Sequence, residues 1–204
     1  MEHLTVYPSS INERAIDRAV EAVNDDELVV YPTDTLYALG CNALSNCAIE
    51  RLCAAKGINP DKQLLSIVCA DISQAAEYAR IDNRTFAILK RHLPGPFTFI
   101  LPASTRLPKV FKGRKTVGIR VPDQPVAIAL TRAVGHPILS ASVAVDPEDP
   151  EQAANPASLA MEYESVASLI IDSGEGGTEP STIVDLTDSS DPVVTRQGKG
   201  VFDN

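Results

Sequence analysis

Apolar positions along this chain alternate between 3.6-residue stripes and short continuous runs, punctuated by prolines and glycines. Ala15, Ile16, Ala19, Val20 and Val23 share one helical face. Ser10-Ile11-Asn12-Glu13 ahead of them has capping-box spacing, so Ser10 is the expected cap of a first helix. Residues 28–31 form an apolar strand that Pro32 ends, because proline has no N–H to give to a ladder. A second helix starts near Ser45 or Asn46 and turns Ile49, Leu52 and Cys53 inward. It stops with Lys56 in its last turn and Gly57 as a left-handed cap. Residues 64–69 read as a central strand, and Asp71 caps the helix after it. A further helix covers 83–92, with His92 as its end, and is stopped by Pro94-Gly95-Pro96, since the residue before a proline is pushed out of the helical region. Beyond it lie strands at 97–101, 116–121, 136–143, 169–172 and 181–185 and a helix after Pro125. Another helix is capped by Asn155, with Pro156 in its first position.

Helices and strands thus alternate through all 204 residues, and no repeat, low-complexity tract or linker divides them. The expectation is a single α/β domain over residues 1–204, with a twisted sheet of mixed parallel and antiparallel strands and flanking helices.

Composition narrows the function classes. A hydrophobic content of 44% fills a core, while no run of ~18 apolar residues exists to span a membrane. The first residues lack the basic and apolar regions of a signal peptide, so a cytoplasmic location is expected. Cys41, Cys47, Cys53 and Cys69 have no zinc-motif spacing, which predicts buried thiols and no protein-bound metal. The net charge of −9 hides a division. Arg106, Lys109, Lys112, Arg114, Lys115 and Arg120 cluster without an acidic residue among them, whereas no basic residue stands between Arg132 and Arg196. One local cationic patch on an acidic protein suits an anionic small molecule or a docked RNA phosphate, with Lys109, Lys112, Arg114 and Lys115 as candidate RNA contacts. A solvated charged loop is the other reading of that patch. Non-specific wrapping of nucleic acid would need a broader positive surface.

The candidate chemistry begins at Tyr31-Pro32-Thr33-Asp34-Thr35-Leu36-Tyr37-Ala38-Leu39-Gly40, where hydroxyls and a carboxylate crowd a turn at a strand end. Such turns build ligand sites in α/β sheets, and they are also ordinary turns in which Asp and Thr bond back to the local backbone. Ser140 and Ser142 lie two apart on one strand and share a face, which either admits a ligand closely or packs tightly. Gly174-Glu175-Gly176-Gly177 is read as a turn, because its glutamates repel anions.

The same chain carries, in order, Lys56-Gly57, Leu93-Pro94-Gly95-Pro96-Phe97-Thr98, Thr116-Val117-Gly118-Ile119-Arg120-Val121-Pro122, Ser140-Ala141-Ser142, Ser181-Thr182-Ile183-Val184-Asp185 and Arg196-Gln197-Gly198. Over residues 10–198 this ordered set resembles the YrdC/TsaC family, and within it the YciO branch. The resemblance implies a YrdC-like fold around a concave cleft. It also implies chemistry on threonylcarbamoyl-AMP, made in the family from threonine, bicarbonate and ATP on the way to threonylcarbamoyladenosine in tRNA. It carries Lys56 and Arg120 to the catalytic charges, and Thr33 to the amino-acid side. Thr35, Lys62, Thr116, Ser140, Ser142 and Ser181 become further ligand contacts, and Arg196 a nucleotide contact. ATP is then a substrate, with magnesium held through its phosphates. Synthases of the family carry Lys-x-Arg and Ser-x-Asn signatures, where this chain has Lys56-Gly57-Ile58 and Ser142-Val143-Ala144. Three functions follow from this: an enzyme making or hydrolysing threonylcarbamoyl-AMP, a double-stranded-RNA or ribosome-associated binding protein, and a nucleotide sensor without turnover.

Overall fold

The computed structural model describes residues 1–60, 62–108 and 115–203. Its strands are β1 (Glu2–Thr5), β2 (Val29–Tyr31), β3 (Ala38–Asn42), β4 (Ser66–Val68), β5 (Phe97–Pro102), β6 (Thr116–Arg120), β7 (Ile138–Ser142), β8 (Leu169–Asp172), β9 (Thr182–Asp185) and β10 (Val193–Arg196). Its helices are α1 (Glu13–Asn24), α2 (Asn46–Lys56), α3 (Ile72–Tyr78), α4 (Asn83–His92), α5 (Pro125–Val134) and α6 (Pro156–Glu162). The strands form one open sheet in the order β1-β8-β2-β3-β7-β4-β6-β5-β9-β10. It is mixed, as the alternating pattern predicts: β4 runs parallel to β6 and antiparallel to β7.

Strand periodicity splits the core into two layers. Val29, Tyr31, Leu169 and Ile171 face α1 and α5, while Val30 and Ile170 point to the opposite cluster with Leu52 of α2, Leu89 of α4 and Leu159 of α6. The α2 helix starts at its cap Ser45 and ends at Gly57, whose φ of 61° is the left-handed value that glycine takes at no steric cost.

The first helix corrects one expectation. Its cap is Asn12, whose side chain accepts the Ala15 N–H, while Ser10 is taken up in a turn closed by its own N–H on Tyr7. Strands β1, β3 and β10 escape the apolar pattern. β1 is mostly polar, β10 is exposed along its length, and β3 emerges directly from the Pro-Thr-Asp-Thr turn. Cys41, Cys53 and Cys69 are buried as expected, but Cys47 is exposed on the first turn of α2. No described helix is long and apolar enough to cross a membrane.

Candidate functional site

A row of small residues indents the sheet: Gly40 on β3 pairs with Ser140 on β7, Ser140 with Ser66 on β4, and Ser66 with Gly118 on β6. A Cβ at Gly118 would overlap Ser66, so glycine is what lets these two strands close. Ser66 and Ser140 open into a cleft of about 280 Å³. Lys56, Arg120, Ser142, Ser181 and Arg196 also line it, and Ile58, Leu64 and Ile183 give it apolar wall.

Each cation is held by a different device. Arg120 ends β6 with its side chain only 5% exposed, and its Nη2 donates to Asp34 Oδ1 at 3.0 Å and to Thr35 Oγ1 at 2.9 Å. The other Asp34 oxygen accepts the Asp123 N–H, and the Asp34 carbonyl accepts from Lys199 Nζ at 2.7 Å. The Arg120 Nε is buried without a partner among the described residues. Arg196, at the end of β10, donates through Nη2 to the Ser181 carbonyl at 2.7 Å. Burial, and then the Arg120 charge, lowers its pKa, so the two guanidinium groups share one field. Lys56 leaves the last turn of α2 and donates to the Tyr163 hydroxyl at 3.1 Å. Burial lowers its pKa from 10.5, and Glu162 opposes that shift. The Ser181 hydroxyl lies 2.8 Å from that of Thr98, while the Ser140 hydroxyl accepts from Tyr31 at 2.8 Å.

Of the residues singled out from the sequence, Lys56, Arg120, Ser140, Ser142, Ser181 and Arg196 meet in this cleft. Thr33, Thr35, Lys62 and Thr116 lie outside its lining. Thr33 donates to the Leu36 carbonyl at 2.6 Å and receives the Thr35 N–H, which closes its own turn. With the Thr33 proton so placed, the Thr35 hydroxyl donates to Thr33 Oγ1, leaving Thr35 a lone pair for Arg120. The Thr-Asp-Thr turn therefore grips the arginine from behind. Lys62 is exposed beyond the α2 exit, and Thr116 stands at the far end of β6 opposite Pro102. Lys109, Lys112 and Arg114 lie outside the described residues, while Lys115 is exposed.

The cleft also holds residues that sequence reasoning missed. Ser66 interrupts the apolar run 64–69, and Thr98 sits between two phenylalanines; both polar breaks in buried strands were legible signals. Tyr163, which stands outside the lining and holds Lys56, left no such signal. Of the two positions that differ from the synthase signatures, Ile58 lines the cleft, whereas Ala144 is exposed beyond β7. Among the described residues, no group of three His, Cys, Asp or Glu side chains is placed to hold a metal ion.

The Sua5, YciO and YrdC family, described as telomere recombination, matches residues 21–198. The chain belongs to this family. Escherichia coli YciO is 38% identical over 197 residues, which cover 96% of this chain and 94% of YciO. The YciO crystal structure superposes with a TM-score of 0.90 over 98% of both chains. Among threonylcarbamoyl-AMP synthases, that of Bacillus subtilis is 34% identical over 93% of this chain but only 55% of its own length. Pyrococcus abyssi Sua5, solved with L-threonine, is 32% identical with a TM-score of 0.86 over 97% of this chain and 58% of Sua5. The family fold, with its mixed open sheet in one domain, thus extends through nearly the whole chain. The chain spans little more than half of these synthases.

Proposed function

We propose that the cleft binds an adenine nucleotide or acyl adenylate and that the protein acts on threonylcarbamoyl-AMP, in synthesis or hydrolysis, within the chemistry of tRNA threonylcarbamoyladenosine. The observation that carries this reading is the convergence of Lys56, Arg120 and Arg196 with Ser66, Ser140 and Ser181 on one cleft of about 280 Å³. Making or breaking an adenylate develops charge on phosphoryl oxygens, and fixed cations with hydroxyl donors stabilise it without acting as nucleophiles. The buried Arg120 Nε is a donor awaiting an acceptor, which a phosphate oxygen would supply. Support for threonine as the acyl partner comes from the likeness to the Sua5 protein solved with L-threonine. Magnesium would travel on the nucleotide phosphates with water as its other ligand. The cations and hydroxyls of the cleft suit phosphate rather than a bare divalent ion.

Ile58 bears on the direction of reaction. An isoleucine on the cleft wall cannot neutralise a polyphosphate, so synthesis from ATP is the weaker activity and breakdown of the finished adenylate the stronger. Hydrolysis would add water to the carbamoyl carbon and break its bond to the phosphate oxygen, releasing AMP and N-carboxythreonine, which loses carbon dioxide to give threonine. Single-turnover assays test this with labelled ATP, threonine and bicarbonate in one arm and preformed threonylcarbamoyl-AMP in the other. The expected result is AMP release in the second arm well above formation of threonylcarbamoyl-AMP in the first. Nucleotide binding with turnover in neither arm would reduce the protein to a sensor, and no binding at millimolar nucleotide would remove the site assignment.

A further inference from the structure

Arg120 is fixed from behind by oxygen atoms of the Thr-Asp-Thr turn, Arg196 by the Ser181 carbonyl of the cleft wall, and Lys56 by an aromatic residue from outside the lining. Tyr163 follows directly on α6 and is buried, with its backbone pinned on both sides. Its N–H donates to the Leu159 carbonyl at 2.9 Å, and its own carbonyl accepts from Val166 and Ala167 at 3.0 and 2.9 Å. Its hydroxyl accepts from Lys56 Nζ at 3.1 Å and from the Ala144 N–H at 3.4 Å. The ammonium lies 5.5 Å from the ring centroid, so it stands beyond the hydroxyl and the phenolic oxygen is its point of contact. A ring held this firmly does not follow a lysine; the lysine follows the ring.

We propose that Tyr163 is a positioning residue of the cleft, its phenolic oxygen setting where the Lys56 ammonium stands and tying it to the chain just beyond Ser142. The oxygen joins two separate walls, the exit of α2 and the exit of β7, at one point. Burial pushes the Tyr163 phenol up to about 12, so near neutral pH it is a neutral acceptor for the ammonium. The Glu162 carboxylate beside this pair raises the lysine's pKa against the burial that lowers it, and a neutral acceptor held on the ammonium favours the charged form in the same direction. Removing the oxygen while keeping the bulk must therefore lower the lysine's pKa further.

The test reads Lys56 directly. Protein labelled with 13C-lysine is titrated by NMR, and the Cε signal of Lys56 is assigned by its loss in Lys56→Ala. Tyr163→Phe keeps the ring and Tyr163→Met refills the space; in both, the Lys56 midpoint should fall by about one pH unit, the size set by losing one hydrogen bond to a charged group. A midpoint unchanged in both variants overturns the proposal. A second arm rests on the nucleotide reading above and uses AMP in calorimetry. Tyr163→Phe should weaken AMP binding about fivefold to tenfold and add nothing in a Lys56→Ala background, because the two side chains act as one unit. Full additivity would show that Tyr163 supports only the fold and would also overturn the proposal. Failure of the native protein to bind AMP removes the nucleotide reading, while the titration still decides the role of Tyr163.

Discussion

Arg120 is both a wall of the cleft and a structural ion pair, and the two roles separate on substitution. Its partner Asp34 has a side chain only 8% exposed, so Arg120→Ala leaves a buried carboxylate with the Asp123 N–H as its remaining side-chain partner. Breaking a buried pair from one side costs about 3–5 kcal/mol, which urea denaturation should show as an earlier midpoint at an unchanged slope. Arg120→Lys should recover only part of this, because the shorter lysine side chain does not carry its nitrogen as far as the Nη2 that donates to both Asp34 and Thr35. Ile58 invites the opposite change. Ile58→Arg places a cation on the cleft wall and should raise affinity for ATP roughly tenfold to hundredfold while leaving AMP much less affected, as measured by calorimetry. Ala144→Asn, at a position exposed outside the lining, should add little to it.

Among the elements, the small-residue row is the most sensitive feature. Gly118→Ala pushes a methyl group into Ser66 across the β4–β6 ladder and should destabilise the fold by about 1–3 kcal/mol, measurable as a lower melting temperature. The helices α2, α3 and α6 were legible from their caps, because Ser45, Asp71 and Asn155 each accept an N–H of the first turn, while α4 was legible from the prolines that stop it and α5 from Pro125; the caps Asp82 and Gln124 emerged only in the structure. Edge strands were not legible: β10 buries none of its residues, so no hydrophobic pattern marks it, yet it delivers Arg196 to the cleft. The cleft was legible where residues recur in motif-like runs. Thr33 sits in the most conspicuous run of all and spends its hydroxyl on its own turn, because a backbone acceptor three residues on competes with any ligand.

At the scale of the whole molecule, a net charge of −9 opposes any broad hold on nucleic acid. Reversing the charges at Lys109, Lys112, Arg114 and Lys115 should abolish whatever affinity for structured RNA the native protein has. Native binding should itself fall steeply between about 50 and 200 mM salt in a filter-binding assay. RNA affinity indifferent to the reversal would remove the patch from consideration. The tie between Lys199 and Asp34 has a consequence of another kind, in time rather than space. It joins positions 165 apart, and Arg196 enters the cleft from the same late segment. During synthesis the Pro-Thr-Asp-Thr turn leaves the ribosome long before its clasp exists, and even β1 must wait for β8 to gain a neighbour. A nascent polypeptide abandoned before residue 196 thus exposes part of a sheet but no finished cleft, so on the reading proposed above half-made copies would not compete with complete ones for a nucleotide.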